Sequence, residues 1–211
     1  MKQKTHRLVP VLLMQSVFMG GCAFGNINLD MPPQGDLPDN QGAAGQTLRL
    51  VMPFEDSRAI KARCGMKKNS YNMDTADVLC SQPPAQWVAD RLQRGLEERG
   101  YTVETVRETA GGNGTVIEGD LIRLFVEPVI GFATVSIEAD IQVRLEVRTG
   151  EGFRAERTFY VKGDTRSAAA TRGTFDTAFE SAADQISTNM VMAIDELVDR
   201  YPELGQHGEK Q

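Results

Sequence analysis

Histidine is nearly absent from this chain. It occurs twice, as His6 and His207, and both lie outside the stretch that reads as a folded domain. That stretch therefore lacks the usual general base and the commonest transition-metal ligand. It also lacks a Gly-x-Ser-x-Gly elbow, a P-loop, a His-Glu-x-x-His helix and a Cys-x-x-Cys pair. These absences argue against the enzyme classes built on those motifs, and neither a cofactor nor a metal is expected. Glu138 and Asp140 stand two residues apart near Arg144. They read as a solvated strand face rather than a catalytic pair. No helix follows the Gly111–Gly114 run, so it is no phosphate loop. A surplus of positive charge is missing too: 23 basic residues face 29 acidic ones. With no basic stripe, the balance argues against nucleic acid as a partner. The longest apolar run, from Leu8 to Met19, is too short for a transmembrane helix.

That run has another reading. Lys2, Lys4 and Arg7 precede it, and Met19-Gly20-Gly21-Cys22 closes it. A basic start, a short apolar centre and a small-residue end make residues 1–21 a signal peptide. The junction resembles a bacterial lipoprotein processing box, in which Cys22 becomes the lipidated first residue. Met19 stands where that pattern prefers Leu, and the alternative is an ordinary secretory signal. Processing would remove three of the 23 basic residues and none of the 29 acidic ones, leaving a net charge of −9. Membrane contact is then expected through acyl chains on Cys22 rather than through surface charge. Cys64 and Cys80 remain, and an even pair in an oxidising periplasm suggests a disulfide. The alternative is two buried thiols.

Residues 22–46 are expected to be the lipidated cysteine and a flexible tether, rich in Pro, Gly, Asn and Asp. The alternative is packing on the domain through Ile27, Leu29 and Met31. Residues 47–202 read as a single domain, and 203–211 as a loose tail. The clearest signal within the domain is 133–147, where Ala133, Val135, Ile137, Ala139, Ile141, Val143, Leu145 and Val147 alternate with polar residues. Period-two alternation gives a strand with one dry face and one wet face. It is expected to be the central antiparallel strand. Strands are also expected at 47–54, 101–107, 115–127 and 153–162, with a break at 127–131 and a polar loop over 163–173. A helix is expected over 83–99, capped by Ser81 and stopped by Gly100, and another over 174–201 with a Thr177–Glu180 capping box. Trp87 reads as a core anchor, and Gly119 as a bulge or a close-packing point. The order β-α-β-β-β-β-α predicts an α+β two-layer sandwich. A mostly antiparallel five-strand sheet carries two amphipathic helices on one face.

One segment has the composition of a binding surface: Cys64-Gly65-Met66-Lys67-Lys68-Asn69-Ser70-Tyr71-Asn72-Met73-Asp74 and on to Asp77. It packs basic, aromatic, methionine and amide residues into a long connection. Lys67, Lys68, Asn69, Tyr71 and Asp74 are the candidate partner-binding residues. The alternative is a structural loop whose Met and Tyr tuck into the core. The run GMKKNSYNMDTADV, followed by the Trp87 helix ending at Arg99-Gly100-Tyr101, resembles the YajG-like bacterial envelope lipoproteins over roughly residues 48–200. The resemblance implies an envelope lipoprotein of uncharacterised role. The layout also resembles the amino-terminal domain of TolB, lipoprotein activators of penicillin-binding proteins, and auxiliary lipoproteins of lipid-transport systems. Those proteins bind partners and do not catalyse.

The sequence thus predicts a non-enzymatic, lipid-anchored periplasmic module that docks an envelope protein through the 64–80 loop and a sheet edge. Two alternatives stand beside it. One is a lipid or small-ligand carrier, or accessory lipoprotein of a transport system, using a pocket between the central strand and Phe175/Phe179. The other is a peptidoglycan-associated lipoprotein. Ala23 after Cys22, where an Asp would resemble an inner-membrane retention signal, favours the periplasmic leaflet of the outer membrane.

Overall fold

The computed structural model describes residues 25–35, 37, 45–107, 114–131, 134–150, 152–201 and 204. The signal segment, Cys22 and most of the Gly111–Gly114 turn lie outside the described residues. Eleven elements follow in order: β1 (Ile27–Leu29), β2 (Thr47–Val51), β3 (Glu55–Asp56), β4 (Gly65–Lys68), β5 (Asp74–Cys80), α1 (Pro84–Glu98), β6 (Thr102–Val106), β7 (Thr115–Ile130), β8 (Val135–Thr149), β9 (Arg154–Ser167) and α2 (Arg172–Arg200).

The architecture is α+β, with two helices on a sheet, but the sheet differs from the expected one. It has nine strands and mixed directions, not five mostly antiparallel ones. The reason lies in β7. One of its edges pairs antiparallel with β8 along its whole length. Its other edge is shared in turn by three short parallel strands: β2 at Thr115–Ile117, β3 at Asp120–Leu121 and β4 at Val126. Beyond β2 lies β6, and beyond β4 lie β5 and then β1. The sheet therefore forks on one side of β7 and runs unbroken through β8 to β9 on the other.

The expected central strand is present as β8, paired on both sides. Its odd residues from Ile137 to Val147 are buried, and its even residues line the open face. The other two long strands exceed their expected bounds. Pro128 does not break β7, because it lies past the Val126 pairing with β4, where that edge has no neighbour among the described residues. β9 continues through Gly163 to Ser167, although this stretch is polar. Gly163 is where α2 crosses the sheet. A Cβ there would lie 2.2 Å from the Ala178 carbonyl oxygen and 2.6 Å from the Ala182 nitrogen. Gly119 is likewise a close-packing point, its missing Cβ replaced by the Phe54 ring at 2.4 Å.

Both helices cover the same face. Pro84 opens α1 without a side-chain cap, so Ser81 does not serve as one, and Gly100 follows its end at φ +90°. The capping box of α2 is Thr171 with Thr174, six residues before the expected pair. Trp87 stacks on Phe179 with ring centroids 5.0 Å apart, joining the helices. Phe175, Phe179 and Ala182 are fully buried against β8 and β9, so the ligand pocket considered there is filled by side chains.

The largest departure is at the amino-terminal end. Residues 27–35 are not a loose tether but a strap. Ile27, Leu29 and Met31 are buried, and β1 pairs with β5. Past β1 the strap crosses the helices. The Pro32 carbonyl accepts from Trp87 Nε1 at 2.8 Å and from the Arg91 guanidinium at 3.1 Å. Arg91 also binds Ser187 Oγ at 2.9 Å and Asp184 at 2.7 Å, while itself fully buried. Burial pulls its guanidinium below the usual value, against the pull of Asp184 and Glu180. The folded unit thus begins by residue 27, twenty residues before the expected boundary.

Candidate functional site

The 64–80 segment is a hairpin inside the sheet rather than a loop on its surface. Cys64 and Cys80 are bridged, with Cα atoms 5.5 Å apart. The bridge closes the base of the β4–β5 pair, and the tip lies at 69–73. β4 presses on β7 because Gly65 has no side chain: a Cβ there would sit 2.0 Å from the Val126 carbonyl oxygen. Beside the bridge, Arg58 is buried and forms a two-point pair with Asp56, at 2.9 and 3.0 Å. Its guanidinium also reaches the Arg63 carbonyl and Cys64 Sγ, both at 3.4 Å. Burial pushes the Asp56 carboxyl up, but the hydrogen bonds and charge of Arg58 outweigh it and hold the group below the usual carboxylate value.

The five candidate residues have separate roles. Lys67 is half-buried and donates to the Gly25 carbonyl at 3.1 Å. Lys68 is ion-paired with Glu127 on β7. Asn69 turns inward, and its side-chain oxygen accepts from the backbone amides of Tyr71 and Met73 at 3.0 and 3.1 Å. With Asn72 at φ +61°, this fixes the tip conformation. Asp74 is exposed and lies opposite Lys68 in the strand register. Tyr71 projects into solvent, 81% exposed, and Met73 next to it is 56% exposed. The structure therefore spends three of the five on holding the hairpin and leaves Tyr71 and Asp74 exposed, with Met73 of the same segment beside them. A cleft of about 530 Å³ separates Tyr71 from the end of β7, where Val129 is also exposed.

A second surface is the open sheet face. Cross-strand ion pairs tile it: Arg144 with Asp120, Arg148 with Glu118, Arg154 with Glu146, Arg123 with Asp140 and Lys162 with Glu138. Asp140 also accepts from the Tyr160 hydroxyl at 2.6 Å. Glu138 and Asp140 thus serve different cations and do not face one another as an acid and base. Between this lattice and the disulfide lies a cleft of about 410 Å³, with Ile60, Met66 and Phe125 in its wall and Arg123 and Gln142 at its side.

The third surface is the β9 edge. Among the described residues β9 has one strand neighbour, β8. Tyr160 is exposed on its open side, and Ala155 and Phe159 are half-buried on its helix side, where the core lacks a last neighbour. The length of β9 was missed because its last five residues are polar. Among the described residues no group of three or more His, Cys, Asp or Glu is placed to hold a metal ion. No helix among them is long and apolar enough to cross a membrane.

Comparison with known proteins gives a family and a fold. The model of a family described as "Uncharacterized lipoprotein" matches residues 33–199. The crystal structure of XCC0632 from Xanthomonas campestris, of the family DUF330, is similar at 18% identity and TM-score 0.52, covering 83% of this chain and 97% of that one. At that identity the likeness is one of fold. A minor lipoprotein from Acinetobacter baumannii matches at 9% identity and TM-score 0.41, over 72% of this chain and 92% of that one. A neuraminyllactose-binding hemagglutinin homolog from Helicobacter pylori matches at 11% identity and TM-score 0.44, over 82% of this chain and 99% of that one. No curated protein matches.

Proposed function

The chain belongs to this family of uncharacterized lipoproteins, and from that premise we propose a lipid-anchored, non-catalytic binding module of the bacterial cell envelope. Cys22 carries the anchor, and Ala23 after it favours the periplasmic leaflet of the outer membrane. The likeness of the Gly65–Val78 run to YajG-like lipoproteins supports the same reading. The partner is an envelope protein that adds an extended segment to β9.

The observation that carries this reading is the β9 edge. Fourteen residues of strand present one unpaired side, with Ala155 and Phe159 half-buried beside it. An added strand would satisfy the free backbone groups and cover both side chains. Alternate charges along β9, from Arg154 to Arg166, keep the edge from pairing with a second copy by default and leave specificity to the partner.

The test is a photo-crosslinking residue placed at Thr158 in living cells, with a second at Gln185 on the exposed side of α2 as control. One discrete protein adduct at 158, lost when Phe159→Lys and Tyr160→Lys are added, is expected. The doubly substituted protein should keep its melting temperature within a few degrees. Equal adduct patterns at 158 and 185 would refute strand addition at β9.

A further inference from the structure

The strap that replaces the expected tether fixes where the lipid must leave the domain. β1 runs parallel to β5 in the register Ile27 with Val78 and Leu29 with Cys80. One residue further back, the Asn26 side chain accepts from the Asp77 amide at 3.1 Å. Gly25 is then held by Lys67 Nζ at 3.1 Å, and Lys67 is itself the register partner of Ala76. Step by step toward the amino terminus, the chain is carried along β5 toward the hairpin tip. Ala76 is three strand residues from Met73, or about 10 Å. From Gly25 to Cys22 is also three residues, and no backbone conformation can span more than about 10 Å there. Chain length alone thus keeps the α-carbon of Cys22 within about 10 Å of Gly25, which lies at the tip-ward end of the strap. A lipid on it brings that end of the domain to the bilayer.

That end presents the side chains a bilayer interface takes. Tyr71 and Met73 are the exposed large apolar side chains of the tip, beside polar Ser70, Asn72 and Asp74, and Val129 stands across the cleft from Tyr71. The tip lies level with the end of β7, since β4 pairs parallel to it at Val126 and Lys68 binds Glu127. Tyrosine has an apolar ring with a polar end and is enriched at the headgroup level, while methionine and valine suit the acyl boundary. Asn69 already holds the tip in one conformation through two backbone amides. Insertion would therefore order little that is not ordered before contact.

We propose that the β4–β5 tip is the membrane-seated apex of the domain, with Tyr71, Met73 and Val129 in the lipid interface beside the anchor. This rests on the lipid-anchor reading above and adds an orientation to it. The sheet strands then rise from the bilayer, and the β9 edge is presented sideways to a partner in the periplasm. Acyl chains on Cys22 hold the domain at the membrane without fixing its orientation, whereas a protein-borne contact fixes orientation.

The probe is a vesicle of phosphatidylethanolamine with a smaller share of phosphatidylglycerol, holding the full-length protein purified from membranes. With Cys22 lipidated and Cys64 bridged to Cys80, an introduced cysteine is the free thiol available for labelling. Tyr71→Cys, Met73→Cys and, as a reference on β9, Thr158→Cys are each labelled with a fluorophore. Quenching is then measured with lipids carrying a nitroxide just below the headgroup. The mass of the amino-terminal peptide reports the lipid on Cys22 in the same samples. Severalfold stronger quenching at 71 and 73 than at 158 is expected. Equal quenching at all three, with lipid present on Cys22, overturns the apex and leaves the anchor standing. A Cys22 without lipid overturns the anchor reading, and the apex falls with it.

Discussion

The β7–β8–β9 ladder and the amino-terminal half of the sheet solve the same problem in opposite ways. In the ladder, long neighbours in sequence pair over fourteen or fifteen positions, and the register is repeated by every side chain on the dry face. In the amino-terminal half, β1 pairs over three positions and β3 over two, and β4 meets β7 at one. Backbone pairing of that length cannot hold a strand alone. Cross-links do it instead: the Cys64–Cys80 bridge, the Arg58–Asp56 pair and the Arg91 contacts to the strap carbonyls of Pro32 and Pro33. The difference teaches that cooperativity in this sheet is graded. The ladder is held by many equivalent contacts, and the forked side by a few that differ.

If so, single substitutions should release the forked side while the ladder stays paired. The largest effect is expected at Arg91. Arg91→Leu keeps the apolar stem but leaves the Pro33 carbonyl and Ser187 without their Arg91 donor. Loss of a buried, charged hydrogen-bonding group of this kind costs about 3–4 kcal/mol. Urea unfolding should show that loss, and hydrogen exchange should show residues 27–35 opening before β8. Exchange rising equally in β1 and β8 would mean that the strap and ladder open together. Next comes the bridge. Replacing Cys64 and Cys80 by Ser removes a link across 16 residues, worth about 3 kcal/mol in the chain-entropy model. Exchange in β4 and β5 should rise most. Unchanged protection there would show that Gly65 packing and Arg58 suffice to hold the hairpin.

The same contrast explains what could be read from the sequence. β8 was legible because Ile137, Ala139, Ile141, Val143 and Leu145 all report one face. The two helices were legible from their spacing, Gly100 and Pro84. β1 was not, because Ile27 and Leu29 are a strand only in the presence of Val78 and Cys80, some fifty residues away. A Pro, Gly and Asn composition around them described a linker equally well. β3 and β4 share that difficulty, so the long connection looked irregular. At the candidate site, residue type identified the hairpin but not its inner and outer faces. Lys67, Lys68 and Asn69 look like surface chemistry until Gly25, Glu127 and the tip amides are placed beside them. Tyr71 was found by type, while Met73 needed the hairpin geometry. The last turn of β9 was hidden because Gly163 contributes to the core by having no side chain.

The smallest effect separates the two regions by the sign of their response to pH. Asp56, on the forked side, is held below the usual carboxylate value because the hydrogen bonds and charge of Arg58 outweigh its burial. Asp195, in α2, is raised by burial against the opposing hydrogen bond from Tyr101 and charge of Arg99. An unfolded aspartate titrates near pH 3.9. Below its unfolded value Asp56 is increasingly protonated in the unfolded chain first, so its contribution is present above about pH 4 and lost as pH falls further. For Asp195 the folded state holds the extra proton, so its contribution is present below about pH 4 and lost as pH rises through its raised value. Urea titrations across this range should therefore change slope in opposite directions in two variants. Asp56→Asn should remove acid lability below about pH 4, and Asp195→Asn should remove the decline above it. A parent curve matched in slope by Asp195→Asn over that upper window would mean that α2 draws no stability from the buried proton, and that burial beside Tyr101 is offset in full by Arg99.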